Sequence, residues 1–256
     1  MMRRVSSIGS EPGTNDIVAN NLSNSTRPIK AGENIQLFQI NCHKCINSNL
    51  SLALHSQSYE RFCYFVQEPY HSVHGNFLHI TGGNRSLITH EATEPVRAII
   101  VHSKNFPIIP LQQFTTKDLA AGLVTFKQKG MAAWQTKTLI VIFCYWDINV
   151  KEIPVDLQNI VQYAKSKNIG FQVHMDSNCH STLFGSKNQN KRGNILEDFM
   201  ALHGLVPGNV GNESTFIRRN SGMVIDLTFG TTDAIAQIRN WRVDNPNIME
   251  FISFLH

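Results

Sequence analysis

The stretch TLIVIFCYW, residues 138–146, is an apolar run broken only at its ends. It is too short to cross a membrane as a helix and lacks the alternation of a half-exposed strand. Such a run suits a strand buried on both faces. The same character recurs in IQLFQI (35–40), FCYFVQ (62–67), VRAIIVH (96–102), GLVTF (122–126), IGFQVHM (169–175) and MVIDLTF (223–229), and AQIRNWRV (236–243) is read as a last strand. Helical spacing lies between some of them. Pro154 suits a first turn, and Val155, Leu157, Ile160, Val161 and Ala164 follow on one face. Ile195, Leu196, Phe199 and Met200 mark a second helix, starting near Gly193 or Asn194 and ending before Gly204. Residues 49–59 form a third candidate. Strand pairs without helices alternate with strand–helix–strand units, so the expectation is an α/β fold in which mixed sheets pack face to face.

Residues 1–33 are rich in Ser, Asn, Gly and Pro and are expected to be a flexible leader, with one domain over residues 34–256. A hydrophobic fraction of 42% supports a sizeable core. The net charge of +4 permits a nucleic-acid or other anionic partner without requiring one. No secretory signal or membrane span is read from the sequence, which opens on MMRRVSSIGS. The five cysteines are odd in number and scattered, which fits a reducing, intracellular compartment better than a disulfide framework. Cys42 and Cys45 have half of a zinc-site spacing and no second half follows, so structural zinc is not expected.

Polar residues cluster where the apolar runs stop. Asn41 closes the first, Glu68 the second, and Tyr145 sits at the end of the longest. The run QVHMDSN ends on Asp176, Ser177 and Asn178, and Asp226 lies inside an apolar strand where an ionised carboxylate needs a partner. Each alone reads as a turn, a solvated strand end or a satisfied core residue. Together they are what strand ends contribute to the sites of α/β proteins. Asn41 and Glu68 are the oxygen donors a hard divalent cation such as Mg²⁺ takes, with its waters retained. Asp176 is placed for a base or water-positioning role, Asn178 for steadying it or a phosphate, and Asp226 for holding a histidine, His256.

The ordered motifs Q-I-N (39–41), Q-E-P-Y (67–70), Y-W-D (145–147), D-S-N-C-H-S-T-L-F-G-S (176–186), N-V-G-N-E-S-T-F (209–216), V-I-D-L-T (224–228) and N-W-R-V (240–243) resemble the endonuclease/exonuclease/phosphatase family. The nearest likeness is to the apurinic-type endonuclease domain of non-LTR, LINE-type retrotransposons. That resemblance implies a four-layer α/β sandwich, two packed mixed sheets flanked by helices. It also implies metal-dependent phosphodiester cleavage of DNA, with Mg²⁺ or alternatively Mn²⁺, by a monomer acting in the nucleus without a small-molecule cofactor. By position it gives Asn41 and Glu68 to the metal, Tyr145 to the phosphate, Asp176 and Asn178 to nucleophile and phosphate, and Asp226 to orienting the catalytic His256.

One departure stands out. The family's last motif is Ser-Asp-His followed by a strand, whereas this sequence ends S-F-L-H (253–256), with Leu255 where the aspartate is expected. The expectation is a domain truncated at its C-terminus with weakened activity. A catalytically degenerate domain that keeps weak DNA binding, and a phosphatase of the same fold, are the competing readings. His180, Arg192, Arg218 and Arg219 are candidates for a DNA-tracking rim, against the alternative of capping, packing or solvated residues.

Overall fold

The computed structural model describes residues 2–8, 35–72, 77, 79–91, 94–129, 133–218 and 221–243. In chain order these form β1 (Met2–Ile8), β2 (Ile35–Asn41), α1 (Ile46–Ser56), β3 (Phe62–Gln67), β4 (Arg85–Ile88), β5 (Ala98–Ser103) and β6 (Ile109–Pro110). The series continues with β7 (Leu119–Lys129), β8 (Trp134–Tyr145), α2 (Val155–Ser166), β9 (Gly170–Asp176), α3 (Lys191–His203) and β10 (Val206–Pro207). It closes with β11 (Phe216–Arg218), β12 (Ser221–Met223), β13 (Asp226–Gly230), α4 (Thr232–Ile235) and β14 (Ile238–Arg239).

Two six-stranded sheets carry the fold, in the orders β14-β1-β2-β3-β5-β4 and β10-β13-β9-β8-β7-β6. Each holds one parallel pair, β2 with β3 and β8 with β9, among antiparallel neighbours. A helix explains both: α1 carries the chain from β2 back to the start of β3, and α2 does the same between β8 and β9. Alternation along the strands then sorts side chains into layers. On β8, Leu139, Val141 and Phe143 join Ile35, Leu37, Cys63, Phe65 and Ile100 in the core between the sheets. Ile140, Ile142 and Cys144 face the other way, onto Leu157, Ile160 and Val161 of α2 and Leu196, Phe199 and Met200 of α3. Phe38, Ile40, Tyr64 and Val66 turn toward Leu52 of α1. Helix, sheet, sheet and helices are thus separated by three apolar cores, the four-layer sandwich expected.

The elements differ from the sequence reading in four places. Met2–Ile8, expected within the flexible leader, pairs antiparallel with β2 and with β14, held through backbone bonds that a polar sequence makes as well as an apolar one; residues 9–34 lie outside the described residues. Residues 223–229 are not one strand. The Thr215 hydroxyl accepts the N–H groups of both Ile225 and Asp226, at 2.9 Å each, so the chain leaves β12 and re-enters a sheet only at Asp226. The expected strand at residues 236–243 shrinks to Ile238–Arg239, because α4 and its turn occupy the approach. α3 begins two residues early, since the Asn190 side chain caps it by accepting the Gly193 N–H at 2.8 Å.

The inner layer is not uniformly apolar. On β9 the inward residues are Gln172, His174 and Asp176, all buried, while Phe171, Val173 and Met175 face the helices. His174 is fully buried, its ring stacked on Phe65 with centroids 3.8 Å apart. Burial lowers its pKa from 6.5 to about 3. The folded state therefore prefers the neutral ring, and this preference is complete above the ordinary value of 6.5 and is lost as pH falls from there through about 3. Urea unfolding between these limits should show stability falling with acidification, by up to about 1.4 kcal/mol per pH unit from this group. His174→Leu should remove that component; an unchanged slope would show the ring to be protonated or solvated in the native state.

Candidate functional site

Strand register brings the expected residues together. On the second sheet Tyr145 of β8 pairs with Asp176 of β9, and Asp176 pairs with Asp226 of β13, so the three stand side by side across adjacent strands. On the first sheet Asn41 of β2 pairs with Gln67 of β3, and Glu68 follows. Two glutamine side chains join these edges. Gln67 Nε2 donates to Asp226 Oδ1 at 2.6 Å and to Asp176 Oδ2 at 3.2 Å. Gln39 Nε2 donates to the same Asp226 oxygen at 2.9 Å and lies 3.5 Å from Gln67 Oε1, which fixes which way the Gln67 amide faces. All four side chains are buried, and both carboxylates accept from these amides.

Glu68 leaves β3 in the left-handed region, with φ at 45°, its N–H bonded to the Arg97 carbonyl and its own carbonyl accepting the Lys44 N–H. Lys44 Nζ lies 3.7 Å and His43 Nδ1 4.0 Å from its carboxylate oxygens. Asn41 Oδ1 accepts the His43 N–H at 2.8 Å. The β2–α1 loop therefore wraps onto the end of β3 and gathers an amide oxygen and a carboxylate. Tyr145 is half-buried between the sheets, and burial, followed by Glu68 and Asp176, pushes its phenol up to about 12. It stays protonated near neutral pH, so its hydroxyl is available to donate.

The D-S-N segment is held from three directions. Ser177 bonds the Ile225 carbonyl through both its N–H and its hydroxyl, at 2.9 and 2.7 Å. Asn178, with φ at 49°, donates its amide to the Trp146 carbonyl at 3.1 Å. Arg192, expected on the DNA-facing rim, instead lies flat over the Trp146 ring, 3.8 Å from its centroid. Its two terminal nitrogens donate to the carbonyls of Asp147, Val150, Trp146 and Ser177. That guanidinium laces the loop after β8 to the loop after β9. His180 is fixed through its backbone, which exchanges bonds with Asn190, and its carbonyl presses so close to Gly193 that a Cβ there would meet the oxygen at 2.0 Å. Its side chain is half-buried. Arg218 ends β11 on a separate hairpin with β12; Arg219, Leu255 and His256 lie outside the described residues.

Sequence reasoning passed over Gln39, Gln67, Asn209 and Thr215. Asn209 donates to the Asp226 carbonyl at 3.2 Å and accepts the Thr228 N–H at 2.7 Å, acting as a strand partner for β13. With Thr215 it sets Asp226 in place. All four lie within the quoted motifs, so their position was visible and their task was not.

Among the described residues no group of three or more His, Cys, Asp or Glu side chains is placed to share a metal ion. The Glu68 carboxylate and Asn41 amide still fit one kind of ion. Both are hard oxygen donors at the rim of the site, the set a Mg²⁺-like cation uses when most of its ligands are water.

Two mixed sheets clasped by buried polar side chains, with helices on both outer faces, make a four-layer α/β sandwich. More particularly, residues 139–249 match the family model described as endonuclease-reverse transcriptase, the stretch that carries Tyr145, Asp176, Asn178 and Asp226. Among solved structures, the endonuclease domain of TRAS1, a telomere-specific non-LTR retrotransposon, is similar with a TM-score of 0.62 and 20% identity, over 83% of this chain and 92% of that one. The catalytic domain of Xenopus laevis APE2 follows with a TM-score of 0.49 and 12% identity, over 78% and 83% of the two chains. Among curated proteins no sequence matches. The likeness to the TRAS1 domain is one of fold; the resemblance read from the motifs is borne out by the family-model match together with that shared fold. Among the described residues no helix is long and apolar enough to cross a membrane.

The lacing role of Arg192 is open to direct measurement. A lysine has neither the fork to reach four carbonyls nor the flat face to stack on Trp146. Arg192→Lys should cost about 1–3 kcal/mol of unfolding free energy, the range for leaving buried acceptors unsatisfied. A change within a few tenths of a kcal/mol would assign Arg192 to the solvent-facing rim after all.

Proposed function

We propose that this chain is a metal-dependent phosphodiesterase, a DNA-nicking endonuclease of retrotransposon type acting in the nucleus as a monomer. The observation that carries the reading is the three-strand register of Tyr145, Asp176 and Asp226, tied by Gln67 to the sheet edge that bears Asn41 and Glu68. Asp176 takes the proton of the attacking water, and Asn178 beside it steadies the phosphate. The protonated Tyr145 phenol donates to a phosphoryl oxygen as negative charge builds there. By the motif resemblance Asp226 is the carboxylate given to orienting His256, which lies outside the described residues. Glu68 and Asn41 would hold the divalent cation, which when bound supplies charge neutralisation at the scissile phosphate. The DNA substrate is supported by the endonuclease-reverse transcriptase match, since the fold alone is shared with phosphatases.

Leu255 favours a second reading, a domain whose chemistry has lapsed while its fold persists. Nicking of a supercoiled plasmid with and without Mg²⁺ separates the two. The expected outcome is weak, Mg²⁺-dependent nicking that rises in Leu255→Asp. Asp176→Ala in that background should lower the rate by on the order of a hundredfold or more, the usual size of a lost general base. Nicking indifferent to Asp176→Ala and to Mg²⁺ would overturn the assignment. Absence of nicking in both the native and Leu255→Asp proteins would favour the lapsed domain.

A further inference from the structure

Arg97 sits one residue before β5, and neither its sequence context nor the proposed chemistry gives it a task. Its guanidinium is gripped at three nitrogens. Nε and Nη2 donate to the two oxygens of Asp118, at 2.5 and 2.6 Å, and Nη1 donates to Asp147 Oδ2. The same guanidinium stands over the Tyr145 ring, 4.8 Å from its centroid. The main chain adds two more links. The Arg97 carbonyl accepts the Glu68 N–H at 3.0 Å, and the Asp118 carbonyl accepts the Tyr145 N–H at 2.8 Å. One residue thus touches the supports of two site residues that belong to opposite sheets.

Charge decides between the roles open to such an arginine. A single cation between two carboxylates leaves the cluster net negative, so it does not draw in a phosphate. Its fork is spent on Asp118, in the two-pronged geometry that fixes a guanidinium plane. The hydrogen bonds to Asp118, with help from Asp147, raise its pKa above the usual arginine value, so it is a permanent cation. A permanent cation over an aromatic face holds the ring in place. It also opposes the burial and the three carboxylates, Glu68, Asp176 and Asp147, that make the Tyr145 phenol hard to ionise.

We propose that Arg97 is a positioning residue for the phosphodiester chemistry, clamped by Asp118 and Asp147 so that it holds the Tyr145 ring and the Glu68 backbone facing one phosphate. The chemical half of this inference rests on the function proposed above; the placement half does not. Arg97 acts through Tyr145, so removing both should cost no more than removing the more important one.

Two measurements test this. With 3-fluorotyrosine incorporated at the five tyrosines, Tyr145→Phe identifies the Tyr145 fluorine resonance. That resonance should move in Arg97→Gln and in Arg97→Lys, while the other four hold still; Arg97→Lys keeps the charge and serves should the glutamine variant fail to fold. In nicking kinetics, Arg97→Lys and Tyr145→Phe should each lower kcat by on the order of a hundredfold with KM nearly unchanged, the loss expected for one transition-state donor. The double variant should be no slower than the slower single one. An unmoved Tyr145 resonance, or losses that multiply in the double variant, overturns the proposal. A resonance that moves in a protein that does not nick supports the placement and overturns the proposed function alone.

Discussion

Two carboxylates buried between the sheets set the terms for everything around them. Asp176 and Asp226 are 4% and 6% exposed, and an ionised group that deep needs several kcal/mol of compensation. The amides of Gln39 and Gln67 supply part of it by reaching across from the first sheet. An arginine in their place would also donate, and would bring a charge that cancels one of the carboxylates. Carboxamides donate without bringing a charge of their own. They also weld the two sheets at the end where the loops carry Asn41, Glu68, Asn178 and Trp146. Holding the sandwich together and holding the site together are one task here.

The layers were legible as a series of short apolar runs of buried-strand length with helical spacing between some of them. The alternation within GFQVHMD emerged only in the structure, where Phe171, Val173 and Met175 mark one face and Gln172, His174 and Asp176 the other. A period of two with polar residues on the inner face is what a strand lining a site between sheets looks like. The site ends were legible for a similar reason, since a carboxylate where an apolar strand stops demands an explanation. The clasp was not, because a glutamine near a strand end reads as a solvated residue until a second sheet is stacked on it. The lacing contacts of Arg192, read from the sequence as a residue at a helix start, were not legible for want of distance information. Its carbonyl partners near Trp146 lie more than forty residues away in the chain, a pairing that no local pattern encodes. β1 was missed because its place in the sheet depends on backbone bonds, to which Arg3 and Arg4 are no obstacle.

Polar residues are distributed unevenly through the inner layer. Around Ile100, Val124 and Val141 the space between the sheets is filled by apolar side chains, aliphatic and aromatic. Toward β9 and β13 it is filled by His174, Thr228, Gln172 and the carboxylates, with far less apolar area to gain from burial. Stability is thus concentrated on one side of the sandwich, and chemistry is accommodated on the other at the cost of ordered polar contacts. The Thr215 and Asn209 side chains, which stand in for a missing strand along β13, belong to that cost.

Glu68 gives this uneven distribution a bearing on the history of the chain. A left-handed backbone suits glycine or asparagine, and a glutamate there is disfavoured by about 1 kcal/mol. Were the position free of any chemical demand, drift would run downhill toward the residue the backbone prefers. A copy long released from selection would be expected to have relaxed at such a position among the first. This chain carries leucine where its relatives' motif has an aspartate, yet it keeps a carboxylate at a point where its own backbone argues against one.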